Sequence, residues 1–283
     1  MALAEIYGKT PFIYFEDLLT ADVFAAFRYL PSDIGIIGFL RSIPGLESLI
    51  EKPDEHSTCT FHFWPVGSAI GREPDVLLEL EINGRILHII IEAKYYSGPS
   101  DKDDEEIEIN GDPQRVGNQL GDQLHDLEYG VYRIFQGSSR NTQLILNSRQ
   151  ANRFLIYLTA HAVKPTYELS RVSSYYQQAE SKLFWSSWYH VHDYFRSLRP
   201  QLAQFPYSYI LADVCALLDR KEFVTFQGFH LSQLTGVKPE MGSFWQDRRI
   251  DDLVFNGISK PPVIDWLNTA VSFFNSHPPQ EKK

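Results

Sequence analysis

Two apolar runs, VLLELEI at 76–82 and RILHIII at 85–91, flank the dipeptide Asn83-Gly84, and this pattern restricts the fold more than any other stretch of the chain. Asn-Gly between such runs predicts a β-hairpin with a two-residue turn, because both central residues must take positive φ. That loop length puts Ile82 opposite Arg85 and sets every pair further out. Asp75 then faces Glu92, and directly opposed residues have Cβ atoms about 5 Å apart. Lys94, two residues beyond Glu92, projects from the same face. Ala93 points to the other face with Leu87, Ile89 and Ile91.

The hairpin therefore gathers two carboxylates and an ammonium at its open end. Opposed carboxylates repel unless a proton or a divalent cation sits between them. Hard oxygen ligands select Mg²⁺ or Mn²⁺, with water completing the coordination. A lysine beside such an ion can orient a water, help deprotonate it and stabilise developing negative charge. A different arrangement of the same residues is a cross-strand ion-pair cluster, with Lys94 against Glu73 and Asp75 and with Glu92 in solvent.

The rest of the chain supplies a context. YFEDLLTADVFAAFRYLP has helical spacing and ends at Pro31. IGIIGFLRSIPGLESLIE reads as short helix and turn, and STCTFHFWPVG alternates as a strand. Residues 97–118 form an acidic stretch punctuated by Gly and Pro. QLGDQLHDLEYGVYRIFQ has helical period, and RFLIYLTAH is a buried strand. Beyond about residue 166 the pattern is helical, including VSSYYQQAESKLFWSSWYHVHDYFRSL, YSYILADVCALLDRKEF and PPVIDWLNTAVSFFNS; VTFQGF is ambiguous. The order is that of an α/β fold with a helical C-terminal region.

Pro74-Asp75 and Glu92-Ala93-Lys94, with Glu92 17 positions after Asp75, resemble the motif of the PD-(D/E)xK nuclease superfamily. The resemblance covers about residues 10–165. It implies a restriction-endonuclease-like αβββαβ core with a central mixed sheet over 1–165, and a helical region over 166–283 packed on it. It implies that Asp75, Glu92 and the Ala93 carbonyl bind Mg²⁺, for which Mn²⁺ would substitute, while Lys94 serves the attacking water. Some members add a glutamate on the first helix and a glutamine on the helix after the motif. Glu16 fits the first place; as a helix-start acid it would also complement the helix dipole. Gln119 and Gln123 share a helix face, and Gln123 is the preferred second. The implied activity is a metal-dependent DNA endonuclease of a restriction-like or mobile-element defence system, with DNA rather than RNA as substrate. The alternative is a catalytically silent nuclease-fold subunit used for binding or scaffolding.

Other residues carry weaker signals. Asp122 and Asp126 are expected at the surface. His190 and His192 are two apart on a helix and cannot share a metal. His161 follows the last core strand, where a buried or capping role is expected over a phosphate contact. Trp185, Trp188, Tyr189 and Tyr194 have the spacing of core residues. Cys59 and Cys215 are expected as buried free thiols in a reducing cytoplasm. No apolar run is long enough to cross a membrane, no basic-then-apolar leader opens the sequence, and no triad or phosphate-loop motif occurs.

The net charge of −10 is uneven. Residues 1–130 hold 9 Lys and Arg against 24 Asp and Glu, and residues 131–283 hold 17 against 12. An acidic total argues against coating nucleic acid non-specifically. It leaves open a basic face after residue 130, and a homodimer or protein partner that supplies recognition.

Overall fold

The computed structural model describes residues 3–9, 15–95, 118–136, 139–146 and 152–225. The chain divides into two units, Met1–Phe226 and Gln227–Lys283, and every described residue lies in the first. The acidic stretch before Asn118, most of VTFQGF and the segment PPVIDWLNTAVSFFNS lie outside the described residues.

The elements follow in chain order. Helix α1 is Leu3–Ile6, α2 is Glu16–Tyr29 and α3 is Ile36–Ser42. Strands β1 (Thr58–Phe63), β2 (Val66–Gly67), β3 (Val76–Ile82) and β4 (Arg85–Lys94) precede α4 (Gln119–Tyr129). Then come β5 (Val131–Gln136), β6 (Ser139–Ile145), β7 (Asn152–Thr159), α5 (Thr166–Tyr175), α6 (Ala179–Lys182) and β8 (Leu183–Ser187). Helices α7 (Trp188–Leu198) and α8 (Tyr207–Arg220) close the described chain.

The fold is α/β around a mixed five-stranded sheet ordered β1-β3-β4-β7-β8. β1, β3 and β4 are antiparallel, whereas β4, β7 and β8 run parallel. The β3–β4 hairpin has the expected two-residue loop: Ile82 pairs with Arg85. Asn83 and Gly84 take φ of 52° and 74°, both positive as a type I′ turn requires.

Side-chain alternation divides the sheet between two cores. Val76, Leu78, Ile89, Ile91, Ala93 and Ile156 face one side, where α2, α3, α7 and α8 cover them. Leu77, Ile90, Leu155 and Tyr157 face the other, against Leu120, Leu124 and Leu127 of α4 and Tyr132 and Ile134 of β5. β4 is buried on both faces, which is why RILHIII reads as a nearly continuous apolar run.

Two expectations about the elements are corrected. The helical period over 119–136 stops at Tyr129, because Gly130 takes a left-handed φ of 73° and β5 starts next. Arg153 on β7 donates to the Leu127 and Glu128 carbonyls and so satisfies the exposed end of α4. The helix expected across 172–198 is broken by β8, whose Leu183, Phe184 and Trp185 extend the sheet beside β7. Packing onto an open strand edge outweighs helical spacing there, and the Ser187 side chain then caps α7 by accepting from the His190 N–H. The sheet thus draws strands from both sides of residue 165. Finally, a small sheet ordered β2-β5-β6 was not anticipated from the sequence.

Asp122 and Asp126, expected at the surface, are buried. The Asp126 carboxylate accepts backbone N–H bonds from Ala69, Ile70 and Arg72 at 2.8, 2.8 and 3.1 Å. Gly67 lies so close that a Cβ there would come within 2.2 Å of Asp126 Cγ. Asp122 takes the Arg72 guanidinium at 2.6 and 2.9 Å and the Tyr175 hydroxyl at 3.0 Å. Together they fasten α4 to the 67–72 loop, which leads into Asp75. Asp126→Ala is expected to lower unfolding free energy by about 2 kcal/mol, since three donors lose a charged acceptor and water recovers part of it. Urea denaturation checks this; a loss under about 0.5 kcal/mol would contradict it.

Candidate metal centre

The strand ladder between β3 and β4 ends with Val76 opposite Ile91, and Asp75 continues the line beyond it. Its Oδ2 accepts the Ala93 backbone N–H at 2.7 Å, in the place a strand carbonyl would otherwise take. In an extended strand one residue's N–H and C=O point to the same side. The Ala93 carbonyl is therefore directed to the Asp75 side of β4.

Asp75, Glu92 and Lys94 are 7 %, 2 % and 7 % exposed, so the cluster is buried. Lys94 Nζ lies 2.6 Å from Glu92 Oε1 and 3.0 Å from Glu16 Oε1. The salt bridge of Lys94 is thus with Glu92 and Glu16, not with the Glu73 and Asp75 of the ion-pair alternative. Glu16 arrives from the first turn of α2 and is pinned by the Tyr95 N–H, which donates to its Oε2 at 2.9 Å. On the opposite side, Gln119 and Gln123 sit one turn apart on α4. Both donate to Glu92: Gln119 Nε2 to Oε1 and Gln123 Nε2 to Oε2, each at 2.6 Å.

Burial, then the neighbouring Glu92 carboxylate, raises the pKa of Asp75 well above the usual carboxylate range. Glu92 is also raised, chiefly by burial, although Lys94 and Gln123 oppose that shift. Burial alone would push Lys94 down. The Glu92 and Glu16 carboxylates outweigh it and hold the ammonium above the usual lysine range.

Several features suit a hard cation. Glu16, Asp17 and Asp75 can each present an oxygen within 4.8 Å of the other two. Of the four carboxylates Glu16, Asp17, Asp75 and Glu92, Asp17 is exposed, and Lys94 pairs with Glu16 and Glu92. A carboxylate has about four lone-pair sites. Glu92 uses three on Lys94, Gln119 and Gln123, and Oε2 keeps room for a ligand bond. Gln123 Oε1 is fully buried with no hydrogen-bond partner, an oxygen left over beside the cluster. The donors are all oxygen, the set that Mg²⁺ and Mn²⁺ prefer.

The structure thus brings Glu16, Asp75, Ala93, Glu92, Lys94, Gln119 and Gln123 to one place. Asp17 was not singled out from the sequence; adjacency to Glu16 was its only signal. His161 is exposed, and among the described residues its bond is from the backbone N–H to Thr159 Oγ1, with no capping bond from the ring. His190 and His192 diverge, His190 to Ser42 and Ser186 and His192 to Asp219. Trp188 is wholly buried and donates to the Lys94 carbonyl at 3.1 Å, while Trp185 donates to Thr159. Tyr189 and Tyr194 pack on the first core. Cys215 is buried, Cys59 is half-buried, and both are free. No helix of the described residues is long and apolar enough to cross a membrane.

No protein-family model matches the chain, and neither a curated protein nor a solved structure matches it.

Asp75 and Glu92 have folded values above their ordinary 3.8 and 4.5. The folded state then holds protons that the unfolded chain releases, a contribution present below about pH 4 and lost as pH rises through the raised values. Asp75→Asn keeps an acceptor for Ala93 and removes that penalty. In EDTA at pH 8 its thermal midpoint should exceed wild type by roughly 3 °C or more, with little gain at pH 4. A lower midpoint at pH 8 would contradict the account.

Proposed function

We propose that this protein is a divalent-metal-dependent phosphodiesterase acting on DNA, an endonuclease with a PD-(D/E)xK-type centre on a restriction-endonuclease-like core. The observation that carries the reading is the meeting, at the open end of β3 and β4, of Asp75, which accepts the Ala93 N–H, with the Glu92–Lys94 ion pair. The element order α2, β1, β3, β4, α4, β7, with β4 and β7 parallel, is in keeping with the αβββαβ core.

Asp75, Glu92 and the Ala93 carbonyl would hold Mg²⁺, with Glu16 and Asp17 at its α2 side. Bound there, the ion would neutralise phosphate charge and lower the pKa of a coordinated water. The Glu92 and Glu16 carboxylates favour the ammonium form of Lys94, the form that donates hydrogen bonds. Its role is to donate a hydrogen bond that positions the water and to offset charge building on the phosphate. Gln119 and Gln123 fix the Glu92 rotamer, and Tyr95 fixes Glu16, so the oxygens are set before substrate arrives. With one such site per chain, cutting both strands of a duplex fits a homodimer or a partner subunit.

A catalytically silent binding subunit would not need the buried carboxylates Asp75 and Glu92 side by side, a costly arrangement without a cation. A cleavage assay with Mg²⁺ or Mn²⁺ on linear and circular DNA decides. Asp75→Ala and Lys94→Ala should each reduce cleavage at least about a hundredfold while circular dichroism stays that of wild type. Full cleavage by both variants, or none by wild type with either metal, would overturn the assignment.

A further inference from the structure

We infer that Lys221, anchored by Glu5, is a positioning residue for Glu16; its link to metal binding rests on the nuclease reading above. Lys221 and Glu5 are 3 % and 4 % exposed, and Lys221 Nζ donates to Glu5 Oε1 at 2.5 Å. The pair ties α1 to the end of α8 across 216 positions of sequence. Burying two charges is costly, and apolar side chains of similar volume would join the two elements as firmly. The charge gains a use from what else it faces. Lys221 Nζ stands 5.7 Å from the centroid of the Tyr95 ring, within cation–π reach. Tyr95 is itself buried, and its backbone N–H is the donor that pins Glu16 Oε2.

The turn that carries Lys221 points the same way. α8 ends in a Schellman motif: the Glu222 N–H donates to the Asp219 carbonyl at 3.0 Å and the Phe223 N–H to the Leu218 carbonyl at 3.1 Å. Glycine is the usual residue at the left-handed place of this motif, yet Glu222 holds it with φ of 64°. Such strain persists where the surrounding packing dictates the turn. Here the turn sends Phe223 back into the core, its ring centroid 5.5 Å from that of Tyr95 and 6.2 Å from that of Trp188. The Trp188 indole donates to the Lys94 carbonyl at 3.1 Å. One peptide, between Lys94 and Tyr95, thus gives its C=O to Trp188 and its N–H to Glu16, and Lys221 and Phe223 hold the ring that sets how it is turned. Glu16 keeps a second tie, to Lys94 Nζ at 3.0 Å, so loss of the first shifts its carboxylate without freeing it.

The test is amide hydrogen exchange of the full chain in EDTA, read by NMR as the Tyr95 rate relative to that of Ile90 on the same strand. The double variant Glu5→Leu, Lys221→Met removes both charges at similar volume, so the fold is kept. Its Tyr95 rate should rise at least about fivefold against Ile90, the loss of a desolvated cation–π contact. Val214→Ala, which loosens buried packing on α8 and leaves the ion pair in place, should keep the ratio within about twofold of wild type, because global opening speeds both amides alike. A wild-type ratio in the double variant, or an equal rise in Val214→Ala, would overturn the proposal. Mn²⁺ affinity of the double variant should fall about tenfold, as when a group that orients a metal ligand is removed. A wild type that binds no Mn²⁺ would sink the metal reading by itself, and the exchange ratio, taken without metal, would still decide the role of Lys221.

Discussion

The two-residue turn at Asn83 and Gly84 fixes the register of β3 against β4, and the candidate site depends on that register. A slip of one residue would turn Glu92 and Lys94 to the face where Ala93 now packs under α2, burying both charges among Ile89, Ile91 and Leu78. The positive φ of both turn residues makes the slip expensive. The bond from the Ala93 N–H to Asp75 then locks the open end, so turn and site hold the same hairpin from its two ends.

Four elements meet at that open end, and each contributes something different. β3 and β4 carry the acids and the lysine. α2 brings Glu16 from one face, and α4 brings Gln119 and Gln123 from the other. α4 in turn is held by Asp122 and Asp126, which tie it to the loop before Asp75. The backbone end of Lys94 is gripped by Ala160 and by the Trp188 indole, both donating to its carbonyl at 3.1 Å. The cluster therefore sits on well-packed elements, with Asp75 and Glu92 buried side by side.

Much of this was legible in the sequence, for local reasons. The Asn-Gly turn and the alternation of β3 and β4 are short-range signals, and the register they set places Asp75, Glu92 and Lys94 by geometry alone. Glu16 and the two glutamines came from a family resemblance, and they arrive by tertiary packing that no local pattern encodes. β8 was read as helix because Leu183, Phe184 and Trp185 suit either state, and the open edge of β7 decides between them. Asp122 and Asp126 looked like solvent residues because their partners are distant in sequence: Arg72 and Tyr175 for Asp122, and for Asp126 backbone donors of the 69–72 loop, which carry no side-chain signature.

The central claim is that the unbalanced carboxylates at the end of β3 and β4 await a cation. Titration of Mn²⁺ into the full chain, followed by loss of the free-ion paramagnetic resonance signal, tests it directly. The account predicts saturable binding near neutral pH that is lost in Asp75→Asn and competed by Mg²⁺. Binding unchanged in Asp75→Asn, or no binding by wild type at millimolar Mn²⁺, would contradict it.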